Sequence, residues 1–211
     1  MNSDVPKQFL LLAGQPLLMH SIRIFYLFDP EMILFVTLPE NQFDFWHQLC
    51  KDYFFRMPHQ LVKGGETRFG SVKNALELID GEGLVAIHDG VRPLVSMEVI
   101  KRTFTEADKY GNAVPVIRMQ ESIREITPWA NKEVARGNLR IVQTPQVFRK
   151  ALIKEAYDFV SHPNFTDDAT VVEKLGVGIH LVEGNPENLK ITTPTDLRCA
   201  EAYLGYSALQ D

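Results

Sequence analysis

The stretch Leu84-Val-Ala-Ile-His-Asp-Gly-Val-Arg-Pro93 decides the fold class of this 211-residue chain. Its apolar run shows no alternation of apolar and polar residues, which is typical of a strand buried on both faces of a parallel sheet. Ligands of such sheets bind outside the carboxyl ends of the strands. Asp89 follows the end of this strand as a candidate metal or hydroxyl ligand, and Arg92 is a candidate phosphate ligand.

Helix-like and strand-like segments alternate along most of the chain. Helical spacing of apolar residues predicts helices at 16–28, 43–53, 71–79, 96–110, 150–159, 168–175 and 194–204. Continuous apolar runs predict strands at 32–38, 60–63, 84–87, 113–117 and 179–182. Ser71 and Ser96 are predicted N-caps. This alternation predicts an α/β fold with a Rossmann-like, doubly wound, mostly parallel sheet.

Residues 120–140 break the alternation, because this stretch is polar and has no helical stripe. Its short alternating pieces at 122–126 and 132–136 predict a projecting two-stranded β-arm. An isolated hairpin is barely stable in water. We therefore expect the arm to pack against a second subunit, which predicts a homodimer.

Composition narrows the possible partners. The net charge of −5 gives no general basic field for nucleic acid. No apolar run approaches the ~18–20 residues needed to span a bilayer, and the first residues lack the apolar core of a signal peptide. Cys50 and Cys199 lack metal-site spacing and are expected to be free thiols. These features predict a cytoplasmic protein without a nucleic-acid or membrane partner.

Five segments bring phosphate-binding or turn-forming groups to expected strand ends. The segment from Lys63 to Ser71 offers small residues and free N–H groups before a helix, which are the elements of an anion pocket. His88 is expected to be a hydrogen-bonded structural residue, and Asp167 and Asp168 are expected to cap the next helix. The five segments are 6–9, 63–71, 87–93, 143–146 and 183–194.

Taken in order, the motifs of the chain resemble a known enzyme family. They are PKQFLLLAGQPLLMHSI, KGGETRFGSVKNAL, HDGVRP, QTPQVF, TDDATVVEKLG and VEGNPENLKITTPTDL. Together they resemble the 2-C-methyl-D-erythritol 4-phosphate cytidylyltransferases of the non-mevalonate isoprenoid pathway, over essentially the whole chain. The resemblance implies one nucleotidyltransferase domain over residues 1–211. It also implies transfer of CMP from CTP to methylerythritol phosphate, with release of pyrophosphate.

The resemblance also implies roles for individual residues. Lys7 and Lys190 correspond to electrostatic catalysts that contact the phosphates. The implied cytosine-pocket and nucleotide-loop residues are Gly65, Glu66, Arg68 and Ser71. The implied binding residues for the second substrate are Asp89, Arg92, Ser122, Arg136 and Thr144. Mg²⁺ is the implied cofactor, with Asp89 beside it, and the arm is implied to interlock with the partner subunit.

In the resembled family, a strand and a glycine-rich loop of the type Ala-Ala-Gly-x-Gly-x-Arg-Met precede Pro6-Lys7-Gln8. The spacing aligns Met1 with the methionine of that motif, so we expect the sequence to be incomplete at its N-terminus. Because the strand would lie at the centre of the sheet, two neighbouring strands should be left with unpaired edges. The chain as given should bind CTP poorly, since the loop would fix the triphosphate.

Two alternatives are open at this point. A ribitol-5-phosphate cytidylyltransferase would share the same chemistry and resembles the chain closely, although GGETRFGSV and TDDATVVEKLG favour the methylerythritol family. A non-catalytic relative that lacks the triphosphate loop is the alternative from a different class. A dehydrogenase is not indicated, because no Gly-x-Gly-x-x-Gly follows a strand.

Overall fold

The computed structural model of the protein describes residues 5–160 and 165–207. The helices in these residues are α1 (Leu17–Phe28), α2 (Phe43–Asp52), α3 (Arg68–Glu77), α4 (Met97–Tyr110), α5 (Lys150–Phe159), α6 (Asp168–Glu173) and α7 (Pro194–Ser207). The strands are β1 (Leu11–Leu12), β2 (Gln15–Pro16), β3 (Phe35–Leu38), β4 (Gln60–Lys63), β5 (Leu84–Ile87), β6 (Asn112–Arg118), β7 (Ile123–Ile126), β8 (Asn131–Val134), β9 (Arg140–Val142), β10 (Gln146–Arg149) and β11 (Leu181–Glu183).

The main sheet has the strand order β11-β6-β10-β5, and β9 also pairs with β6. Strands β5, β6 and β11 run in one direction, whereas β10 is antiparallel to both of its neighbours. Because side chains alternate along a strand, one face takes Val85, Val114 and Phe148 against α5 and α6. The other face takes Ala86, Ala113 and Val147 beside α4. The predicted doubly wound α/β fold class is confirmed.

A second, smaller sheet pairs β3 with β4 in parallel. Helix α2 covers it through Trp46, which is fully buried and donates its Nε1–H to Nε2 of His59 at 2.8 Å. Among the described residues, β3 pairs only with β4 and β5 only with β10. A cleft of about 880 Å³ runs between β3 and β5 and is lined mostly by apolar side chains. The expectation of two strands with unpaired edges therefore holds for this part of the chain.

The arm is a β-hairpin, as its alternating pieces predict. Strands β7 and β8 are antiparallel, and Thr127 and Ala130 close the turn by a backbone hydrogen bond of 2.8 Å. The tip is apolar and open to solvent, since Ile126 is 80% and Trp129 94% exposed. Among the described residues, no helix has both the length and the apolar character needed to cross a membrane.

Several details differ from the sequence expectations, among them β1 and β2, which were not predicted, and β3, which begins three residues later than expected. Helix α3 begins at Arg68, and its N-cap is Thr67, whose side chain accepts the N–H of Gly70, so the prediction of Ser71 as N-cap was wrong. Strand β10 was not predicted. Strand β11 lies two residues later than expected at its start. The predicted cap at Ser96 is confirmed by its hydrogen bond to the N–H of Val99 at 3.2 Å.

Candidate active site

Three cationic side chains converge on the carboxylate of Asp89, just beyond the end of β5. Oδ2 of Asp89 lies 3.1 Å from Nζ of Lys190 and 3.1 Å from Nε of Arg92. Oδ1 lies 3.8 Å from Nε of Arg68. The group borders a polar cleft of about 260 Å³, whose wall also includes Thr144, Gln146 and Asp167. Cations gathered in this way around one carboxylate favour the binding of an anion.

The three cations also fix the ionisation of Asp89. Burial alone raises the pKa of this carboxyl, but the charges of Lys190, Arg68 and Arg92 outweigh that effect. The pKa of Asp89 therefore lies below its usual value, and the group is ionised at neutral pH.

A chain of hydrogen bonds brings Lys190 to Asp89. Ile191 is fully buried, and its N–H donates to the carbonyl of Val91 at 2.9 Å. Asn188, also fully buried, donates from Nδ2 to the carbonyl of Thr144 at 2.8 Å. The backbone carbonyl of Asn188 accepts a guanidinium N–H of Arg92 at 2.8 Å. The loop after β11 is thus tied to the loops after β5 and β9, and Lys190 is held at their junction.

His88 has the structural role expected from the sequence. Its Nε2 lies 3.0 Å from the carbonyl of Arg92, and its Nδ1 lies 3.0 Å from Oγ1 of Thr144. Burial lowers the pKa of His88 to about 4, so the ring is neutral at pH 7. A neutral imidazole has one N–H, and a carbonyl can only accept, so Nε2 carries that proton and Nδ1 accepts the hydroxyl proton of Thr144.

This tautomer defines what Thr144 can offer a ligand. Its Oγ1 accepts the N–H of Asp89 at 3.1 Å while its proton is directed at His88. Thr144 is buried at the wall of the polar cleft. Its hydroxyl therefore presents a lone pair, not a proton, to a ligand there.

The loop before α3 brings the predicted nucleotide-binding residues to the edge of the same region. The N–H of Gly65 donates to Oγ of Ser71 at 3.1 Å. A Cβ at position 65 would lie 2.7 Å from the carbonyl carbon of Gly70, so the close approach of these two backbones requires glycine. Ser71 lines the large cleft between β3 and β5, which Arg68 and Asp89 also border. Glu66 is exposed.

Other predicted residues lie away from the polar cleft in this chain. Lys7 is exposed at the start of a short 3-10 turn, beside the buried Phe9. Ser122 is exposed at the base of the arm. Arg136 is also exposed and donates to the carbonyl of Gln120. The structure therefore brings together Arg68, Asp89, Arg92, Thr144 and Lys190, and the roles assigned to all of the predicted residues remain predictions.

Sequence reasoning missed a buried polar cluster behind Arg68. Asp167 caps α6, as expected, by accepting the N–H of Thr170 at 3.0 Å. The cap explanation was wrong for Asp168, which is fully buried and pairs with both terminal nitrogens of Arg68. A signal for this was present, because residues four and seven positions after Asp168 are Val172 and Leu175, which puts Asp168 on the apolar face of the helix.

A metal site is not preformed by the protein alone. Within residues 5–160 and 165–207, no group of three His, Cys, Asp or Glu side chains is arranged to hold a metal ion. Asp89 and Asp167 are the carboxylates that border the polar cleft. Mg²⁺ commonly takes one or two carboxylates and completes its shell with water and substrate phosphates. The donor set therefore fits Mg²⁺ only as an ion held largely by a bound phosphate compound.

Fold and site together are typical of an α/β enzyme whose polar cleft, lined by three cationic side chains, lies beyond the carboxyl end of a sheet strand. The family model of IspD, 2-C-methyl-D-erythritol 4-phosphate cytidylyltransferase, matches residues 1–206. The chain belongs to this family.

Individual relatives agree with the family match. The 2-C-methyl-D-erythritol 4-phosphate cytidylyltransferase of Bacteroides fragilis is 50% identical over 204 residues, which cover 97% of this chain and 93% of the relative. The crystal structure of the enzyme of that name from Thermus thermophilus superposes with a TM-score of 0.79 at 33% identity, covering 95% of this chain and 94% of that one. The Francisella tularensis structure gives 0.79 at 30% identity, covering 96% and 93%. These matches do not favour the ribitol-5-phosphate alternative.

Proposed function

We propose that the protein transfers the cytidylyl group of CTP to 2-C-methyl-D-erythritol 4-phosphate and releases pyrophosphate. The observation that carries this proposal is the convergence of Lys190, Arg92 and Arg68 on Asp89 in a chain of this family. A phosphate oxygen of methylerythritol phosphate attacks the α-phosphorus of CTP. A new P–O bond forms, and the bond to the β-phosphate breaks, with its electron pair leaving on pyrophosphate.

The side chains act by positioning and charge neutralisation, as is usual for phosphoryl-type transfer. Lys190 lies nearest the reacting phosphates and stabilises the charge that develops on them. Arg92 binds the phosphate of the second substrate, and Arg68 contacts the nucleotide. A phosphate monoester has a second pKa near 6, so the nucleophile is already ionised and no general base is needed. The neutral His88, whose two ring nitrogens are both hydrogen-bonded within the protein, is consistent with this.

The remaining predicted residues complete the proposal. Lys7 neutralises the leaving pyrophosphate, and the cytosine ring lies beside the loop that contains Gly65, Glu66 and Ser71. Asp89 and Thr144 accept hydrogen bonds from the second substrate. Mg²⁺, when bound with the nucleotide beside Asp89, offsets phosphate charge.

We also propose a homodimer in which each arm contributes Ser122 and Arg136 to the site of the partner subunit. The support is that the arm tip is apolar and open to solvent in the single chain, as expected for a surface that a partner covers. A cytoplasmic location is proposed from the free thiols Cys50 and Cys199.

The test is pyrophosphate release from CTP with methylerythritol phosphate as acceptor, in Mg²⁺ and after EDTA treatment. It is made on the chain as given and on a version extended upstream by the strand and glycine-rich loop that the sequence analysis expects. Ribitol 5-phosphate is the second acceptor, and preference for it would contradict the proposed substrate. In the extended version, we expect Lys190→Ala to lower kcat by about 10²–10³-fold, because it removes a group that stabilises transition-state charge. The control is Lys51→Ala on the exposed part of α2. A Lys190→Ala protein with the turnover of the control would exclude Lys190 from catalysis.

A further inference from the structure

The strongest unassigned feature is the buried cluster that holds Arg68. Nη1 of Arg68 lies 2.9 Å from Oδ1 of Asp168, and Nη2 lies 2.6 Å from Oδ2. This is a bidentate pair with a carboxylate that is fully buried. The guanidinium still has its Nε directed to Asp89 and its side chain 31% exposed, so it can contact a ligand in the cleft.

Besides Arg68, two residues hold Asp168 in place, Tyr157 and Gln146. The hydroxyl of Tyr157 donates to Oδ1 of Asp168 at 2.6 Å. Oε1 of Gln146 accepts the backbone N–H groups of Asp168 and Ala169 at 3.0 and 2.8 Å, which fixes the start of α6 against β10. The Tyr157 ring stacks on Phe69, with centroids 4.4 Å apart, and so packs α5 against the helix that carries Arg68. These contacts fix the position of the carboxylate that pairs with the Arg68 guanidinium.

The pKa shifts of Arg68 and Tyr157 are consistent with an ionised Asp168 between them. Burial by itself lowers the pKa of Arg68, but the hydrogen bonds and charge of Asp168 outweigh it, so the pKa lies above its usual value. Burial, followed by the charge of Asp168, raises the pKa of Tyr157, so the phenol remains a donor.

We propose that Asp168, supported by Tyr157, is a positioning residue that fixes the Arg68 guanidinium at the cleft before the nucleotide binds. The proposal rests on the assignment of Arg68 to nucleotide binding made above. Ordering a long side chain on binding weakens affinity, so a guanidinium held in advance binds a phosphate more tightly. Asp168 touches no reacting atom and acts only through Arg68.

The sign of one effect separates positioning from simple electrostatics. Asp168→Asn removes a negative charge near an anion site, which by Coulomb attraction alone would tighten CTP binding. Loss of positioning instead weakens it. We expect the KM for CTP to rise about two- to tenfold in Asp168→Asn. The matched control is Glu173→Gln, which removes one negative charge from an exposed position on the same helix, α6, and should not raise KM.

Two more measurements complete the test. In an Arg68→Gln background, Asp168→Asn should have no further effect on KM, because the residue acts through Arg68. NMR of the Arg68 side chain should show slow rotation of the guanidinium in the unsubstituted protein and fast rotation in Asp168→Asn. Tyr157→Phe, which keeps the ring stack and the carboxylate, should give an intermediate rotation rate if Asp168→Asn does not fold.

Each outcome is decisive. An unchanged or lower KM in folded Asp168→Asn, an equal effect in the Arg68→Gln background, or unchanged rotation of Arg68 would each overturn the proposal. If neither the chain as given nor the extended version turns over CTP, the proposed function fails, and the positioning role is then judged by the rotation of Arg68 alone.

Discussion

His88 connects the chemistry of the site to the stability of the fold. The ring is buried beside Phe25, Asp89 and Arg92, and its pKa is lowered from 6.5 to about 4. The unfolded chain therefore binds a proton between these two values that the folded chain does not. By linkage, the stability contributed by the neutral ring is complete above pH 6.5 and is lost as pH falls towards 4.

We predict that the free energy of unfolding falls by about 3 kcal/mol between pH 7 and pH 4 because of His88 alone. Urea denaturation at a series of pH values measures this. His88→Gln cannot titrate but keeps a donor for the Arg92 carbonyl, so its unfolding free energy should depend much less on pH over this range. The exposed His47 gives the control, since His47→Gln should keep the full dependence. Equal slopes for all three proteins would contradict the prediction.

Asp89 affects the stability of the fold in a lower pH range than His88. Because the pKa of Asp89 is lowered in the folded chain, the stability that its ion pairs contribute is lost only as pH falls below 3.8, the ordinary pKa of this carboxyl. Asp89 therefore adds little to the pH dependence above pH 4, to which the two histidines with pKa values lowered by burial, His88 and His20, contribute with the same sign.

At the residue scale, the sequence could predict which side chains are candidates for binding or catalysis, but not all of the contacts that those side chains make. Asp89, Arg92 and Lys190 stand out because they follow strands in segments rich in turn-forming residues. Their convergence depends on the Ile191–Val91 and Asn188–Thr144 hydrogen bonds, which join distant segments and leave no local pattern. Asp168 was misassigned because an acidic residue at a helix start has a simple local explanation.

At the scale of elements, the pattern of apolar residues predicted the bounds of some helices and strands correctly. The bounds of β4, β5 and α5 match their predicted ranges. Strand β10 was missed because it is short, follows directly on the Gln143-Thr-Pro-Gln146 turn, and begins with a fully buried glutamine. The start of α3 was misplaced because Thr67 and Ser71 are both capable caps, and only the tertiary structure shows that the helix includes Arg68.

The arm is the element whose function can be tested most directly. If it packs on a partner, the apolar tip contributes to the interface, since each fully buried large apolar side chain stabilises by about 1.5–3 kcal/mol. The double change Ile126→Asp and Trp129→Asp should therefore weaken dimerisation by about 10²-fold or more. Sedimentation at micromolar concentration should show monomers.

The matched control is Phe54→Asp, which removes an apolar side chain that is 81% exposed just after the C-terminal end of α2, away from the arm. Phe54 has a φ of 50°, a conformation that Asp tolerates better than Phe. This variant should sediment like the unsubstituted protein. A dimer that survives the two changes in the arm would show that the tip is not part of the interface.

At the scale of the whole molecule, the division of the sheet is the dominant feature. The two sheets present β3 and β5 to a common cleft of about 880 Å³, and neither strand has a second partner in the described residues. Unpaired strand edges expose backbone N–H and C=O groups and favour pairing between copies. Arg68 and Asp89 border the same cleft, so the conformation of β3 and β5 also affects the candidate active site.

We predict that backbone amides in β3 and β5 exchange with solvent deuterium on the order of tenfold faster than those in β6, which pairs with β9, β10 and β11. Hydrogen-exchange mass spectrometry of peptides covering 35–38, 84–87 and 112–118 gives the comparison within one sample. Measurement at two protein concentrations separates open edges from edges paired between copies, because only the second kind gains protection as concentration rises. Protection in β3 and β5 equal to that in β6 at both concentrations would show that the cleft does not leave these edges open.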